Sequence, residues 1–76
     1  MFNHELLRKK RLEAGMTQEE VAKKAGIYSR SWYYGVESGN NVPNTKHIIM
    51  FAKIFQVPVE EFIKEDTAEG NEKEEQ

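Results

Sequence analysis

No cysteine occurs among the 76 residues. A disulfide framework and a thiolate zinc site are therefore excluded, and the two histidines, His4 and His47, stand too far apart in sequence to suggest a ligand pair. No apolar run approaches the roughly 18 residues that cross a bilayer, and the amino-terminal residues carry no apolar signal-peptide core. A cytoplasmic protein with no membrane partner is the expectation. Also missing are a phosphate-cradling glycine loop, a cysteine nucleophile and a convincing acid or metal cluster. A chain this small leaves little room for a deep pocket, so a non-enzyme without metal or cofactor is expected. Its length suffices for one small domain, which buries only roughly 60% of the surface its unfolded chain exposes. Stability is expected to be marginal or helped by self-association.

What is present divides by charge. The net charge of −2 averages two unlike regions: residues 1–64 hold ten Lys/Arg against seven Asp/Glu, a balance of +3, while EDTAEGNEKEEQ from Glu65 holds six acids against one lysine, a balance of −5. The sequence thus divides into a mildly basic domain, residues 1–64, and an acidic tail, residues 65–76. The tail has almost nothing apolar to bury and is expected to be disordered. It serves either as a solubilising extension or as a competitor with an anionic ligand for the basic face.

Apolar residues recur at helical spacing and never alternate with period two for long, so the fold class is all-α. A first helix over Asn3–Ala14 turns Leu6 and Leu7 inward, with Leu12 further along, and ends at Gly15. Thr17 and Glu20 form a capping box that starts a second helix, whose buried stripe is Val21, Ala22 and Ala25 and whose end is marked by Gly26. Ser29 caps a third helix with Tyr33 and Val36 inward, ending near Gly39. Asn44 caps a fourth with Ile48, Phe51, Ala52 and Phe55 as its stripe, broken by Val57 and Pro58. A fifth, Val59–Lys64, returns Phe62 to the core. Five helices around one small apolar centre are predicted.

The second and third helices, joined by a tight turn with Ala22 at their crossing, describe a helix-turn-helix unit. The pattern extends further: RLEAGMTQEEVAKKAG, SRSWYYGVESGNNVP and IIMFAKIFQVPVEEF together resemble the Cro and phage-repressor family of DNA-binding domains over residues 5–63. The resemblance implies a bacterial or phage-encoded regulator whose third helix lies in the major groove while the second crosses the backbone.

By position, the resemblance makes Arg30 a candidate for guanine O6 and N7, or else a phosphate clamp or surface ion pair. Ser31 reaches a base or phosphate, and Tyr34 a thymine methyl or phosphate. Tyr33 belongs to the core. Trp32 is half packed, its indole N–H able to serve a phosphate. Gly35 occupies a position where relatives often carry a base-reading side chain. A helix-interior glycine costs about 1 kcal/mol relative to alanine, and the cost is expected to be offset by a close approach of backbone to the groove wall. Gln18 matches a position that grips the phosphate backbone, and Asn40, Asn41, Asn44 and Lys46 match the loop and helix start that meet phosphates beyond the third helix. Two residues, Ile27 and Tyr28, separate Gly26 from Ser29 where relatives usually have one, which places Tyr28 near the DNA next to Ser29. Arg11 and Glu37 match a structural ion pair that orients the third helix without touching DNA.

Opposite the core face of the fourth helix stand His47, Met50 and Ile54. With Ile63 they are expected to form a two-fold homodimer interface. The functional expectation is a dimeric, sequence-specific transcriptional regulator, a repressor or controller on a palindromic double-stranded DNA operator, controlled by concentration, dimerisation or a partner rather than by an effector domain. The competing expectation is a protein-interaction module that docks the aromatic face of the third helix on a partner.

Overall fold

The computed structural model describes residues 1–64, so the acidic tail from Glu65 lies outside the described residues. Four α-helices, α1 (His4–Glu13), α2 (Gln18–Lys24), α3 (Arg30–Ser38) and α4 (Thr45–Phe55), are followed by a single 3-10 turn, Val59–Phe62. The expected fifth helix is corrected to that turn. It closes with short-range bonds from Glu61 N–H to Pro58 O (3.0 Å) and Ile63 N–H to Glu60 O (3.1 Å). Ile63 then becomes extended and pairs antiparallel with Phe2 in an isolated bridge.

Local chemistry sets each helix boundary. Asn3, Thr17, Ser29 and Asn44 each accept a first-turn backbone N–H through a side-chain oxygen, at 3.2, 3.0, 3.1 and 2.9 Å. Glu20 completes the box by accepting Thr17 N–H at 2.8 Å. All four helices end alike: the residue after the last turn is left-handed, and the N–H beyond it returns to a carbonyl five residues earlier, as from Met16 to Arg11, Ile27 to Ala22, Asn40 to Gly35 and Val57 to Ala52. Three of the left-handed positions are glycine; the fourth is Gln56, at φ 57°.

The core is aromatic at its centre. Tyr33, Phe51 and Phe62 are fully buried with Leu7, Val21 and Val36, and Phe2 joins them. Ring centroids lie 5.8 Å apart for Phe2 and Phe62, 5.9 Å for Phe2 and Phe51, and 6.2 Å for Tyr33 and Phe51. Each such burial contributes about 1.5–3 kcal/mol. α1 packs on α3, α4 and the 3-10 turn, and α2 packs on α3 and α4 across the buried Ala22. The two ends of the described segment are clasped. Asn3 N–H donates to Phe62 O and Lys64 N–H to Met1 O, both at 2.6 Å.

Three apolar side chains depart from expectation. Leu12 projects into solvent, 51% exposed, because α1 turns Leu7 and Arg11 inward instead. Met50 and Ile54 are not opposite the core: both are half-buried and pack against it.

Candidate nucleic-acid interface

The platform under α3 is a buried polar network. Glu37 accepts Arg11 Nε–H at 2.6 Å, Arg11 Nη2–H at 3.2 Å, the Tyr33 hydroxyl at 2.6 Å and Gln18 Nε2–H at 3.3 Å. Arg11 also donates from Nη1 to Met16 O at 2.9 Å. Burial pushes the Glu37 carboxyl up, but the hydrogen bonds from Arg11, Tyr33 and Gln18 outweigh it and hold the group below its ordinary value. The bond to Glu37 raises the Arg11 guanidinium, and burial followed by the same bond raises the Tyr33 hydroxyl. Three helices are thereby fixed to one carboxylate: α1 through Arg11, α2 through Gln18 and α3 through Tyr33 and Glu37 itself.

Above this platform α3 exposes Arg30, Ser31 and Tyr34, the last 61% accessible. With Gln18 they line a shallow groove where α2 begins. Arg30 lies 3.8 Å from Glu19, with both side chains 71% exposed, so the pair is a weak surface contact that a phosphate or base can displace. In the turn, the two residues between Gly26 and Ser29 take opposite directions. Ile27 is buried, while Tyr28 is 98% exposed beside the amino end of α3. The Ser29 hydroxyl accepts Trp32 N–H.

One edge of that face differs from expectation. Gly35 is buried, not presented to a groove wall, because the Asn41 side chain lies over it. Asn41 Nδ2 donates to Trp32 O at 2.9 Å. Trp32 is half-buried, its ring 5.7 Å from that of His47 on α4, whose Nδ1 is buried without a partner among the described residues. Gln18, half-buried, spends an amide hydrogen on Glu37 and is therefore tied into the platform as well as lining the groove. Asn40, Asn44 and Lys46 are exposed, Asn44 as the cap of α4.

Lys23 and Lys24, unremarked in the sequence reading, are exposed at the end of α2 and line a cleft with Tyr28, Lys46, His47 and Met50. The signal was the KK pair directly before the turn. No group of three or more metal-ligating side chains occurs among the described residues.

A short helix set across the start of a second, whose outer face carries an arginine, a serine and a tyrosine, defines a helix-turn-helix domain. The chain belongs to the helix-turn-helix family of Cro and phage-repressor type, whose model, described as helix-turn-helix, matches residues 7–62. It is thus a DNA-binding domain of the regulator class. Comparison with curated proteins and with solved structures gives no match. No helix among the described residues is long and apolar enough to cross a membrane.

Proposed function

We propose that the protein is a sequence-specific transcriptional repressor that binds a palindromic operator as a homodimer, laying α3 in the major groove. The observation that carries this reading is the exposed row Arg30, Ser31 and Tyr34, held on a buried ion-pair platform beside the start of α2, in a chain of this family. Arg30 reads a guanine, Ser31 and Tyr34 flank it, and Tyr28 with Ser29 and Trp32 lines the entry of the helix. Phosphates are met by Gln18 on one side and by Asn40, Asn44 and Lys46 on the other, joined by Lys23 and Lys24. No catalytic step is part of this reading.

For the dimer, the support is exposed apolar surface. Ile49 on α4 and Val59 and Ile63 around the 3-10 turn are exposed large hydrophobics on elements that touch each other. A two-fold through this region would set two recognition helices about 34 Å apart, one turn of DNA.

Selection of bound duplexes from a random pool, followed by mobility shifts at several salt concentrations, tests the reading. The expected result is a two-fold symmetric consensus and an affinity that falls by about 0.9 decades per decade of salt for each phosphate contacted. Absence of binding at low salt would refute it. Salt-insensitive binding to a protein through the exposed Tyr28 and Tyr34 would favour the interaction-module alternative.

A further inference from the structure

We propose that Asn41, delivered from the loop after α3, supplies the base-reading side chain that position 35 lacks, and that it recognises an adenine. This rests on the DNA-binding reading above.

Position 35 lies one turn after the exposed Ser31, on the edge of the same face, and carries no side chain. The space is nevertheless filled. A Cβ added to Gly35 would fall inside the Asn41 amide, 2.8 Å from its Cγ. The residue is held on the helix by its side chain and by its backbone. Its Nδ2 donates to Trp32 O at 2.9 Å, and the backbone N–H groups of Asn40 and Asn41 donate to Gly35 O at 2.8 and 3.0 Å. Glycine at 35 is therefore the condition for the loop to seat its side chain on the helix.

Anchoring to Trp32 uses one of the two Nδ2 hydrogens. Among the described residues Oδ1 takes no partner, and in this half-buried side chain it is not fully enclosed. What remains is one acceptor and one donor on a single plane. That pair complements adenine in the major groove, where N6–H donates and N7 accepts. A simple clamp would need the donor alone. The orientation fixed through Trp32 also removes rotamer freedom before binding, which lowers the ordering cost at the interface.

The experiment uses the full chain and the duplex pool above, with Asn41→Ala, Asn41→Asp, Gly35→Ala and Gly35→Ala/Asn41→Ala. Asn41→Ala is expected to flatten an A·T preference at one position per half-site by about tenfold. Affinity for random duplex and the salt slope should stay within about twofold, since no phosphate contact is lost. Asn41→Asp removes both Nδ2 donors, the anchor to Trp32 O included, and should flatten the same position on top of a uniform penalty from its charge. Gly35→Ala should displace the amide and reproduce the profile of Asn41→Ala, and the double variant should be no worse than either.

An unchanged consensus in Asn41→Ala overturns the proposal while leaving the regulator reading intact. A uniform loss on all duplexes in Asn41→Ala, with the preference kept, also overturns it, because that is the signature of a clamp. If the parent chain binds no duplex at low salt, both readings fall together. Should Asn41→Ala melt before it can be assayed, Asn41→Asp and Gly35→Ala decide the matter by the same preference at the same position.

Discussion

Glu37 collects hydrogen bonds from Arg11, Tyr33 and Gln18 while its side chain is only 3% exposed. Removing its charge would leave the Arg11 guanidinium buried and unpaired. Glu37→Gln is expected to cost about 3 kcal/mol of unfolding free energy in a urea titration. A second consequence concerns acid. Because the folded carboxyl lies below its ordinary value near 4.5, the unfolded chain binds the proton first as pH falls. The contribution is complete above that ordinary value and disappears as pH drops through the folded one. Parent protein should therefore lose melting temperature on the acid side of pH 4.5 more steeply than Glu37→Gln does. Parallel acid limbs would show that other carboxylates govern the loss. At the proposed interface, Arg30→Ala should reduce discrimination at one base pair by about 1–3 kcal/mol while leaving stability unchanged, its only partner among the described residues being the exposed Glu19. Gln18→Ala should weaken all duplexes alike and also lower the melting temperature, since the same amide serves Glu37.

At the scale of elements, boundaries were written in short local signals, and the sequence reading recovered them where those signals are chemical. Asn44, Ser29 and the Thr17–Glu20 box each began a helix because a side-chain oxygen meets an otherwise orphaned N–H within three residues. What escaped was whatever depends on a partner distant in the chain. Gly35 is expected at the groove wall, and nothing local announces that Asn41 folds back over it. Phe2 precedes the first helix and gave no periodic signal, yet Phe62 and Phe51 cover it. Met50 and Ile54 were placed by one helix's geometry, whereas their burial is set by neighbouring elements. One element end also invites improvement. Gln56 is the single left-handed helix terminus among the four that bears a side chain, and that conformation costs about 1 kcal/mol in a non-glycine residue. Gln56→Gly should raise the denaturation midpoint by a corresponding amount, and a lower midpoint would mean that its side chain makes a compensating contact.

For the whole molecule, the question is which surface meets a second copy. Met50→Glu would place a charge against the core and risks unfolding the protomer, so it cannot isolate association. Ile49→Glu and Ile63→Glu alter exposed side chains instead. Either should shift sedimentation from dimer to monomer at unchanged helix content and reduce operator affinity. A parent chain that sediments as a monomer throughout the micromolar range, with no change in either variant, would remove the two-fold proposal. The clasp between Met1 and Lys64 carries a further consequence. With entry and exit side by side, the domain is a cassette: spliced into a surface loop of an unrelated host, it would occupy no more span than the loop's own stem. Pulled by those same two points, it would come apart like a zipper, one backbone pair at a time, exposing the stacked rings of Phe2 and Phe62 before any helix had begun to stretch.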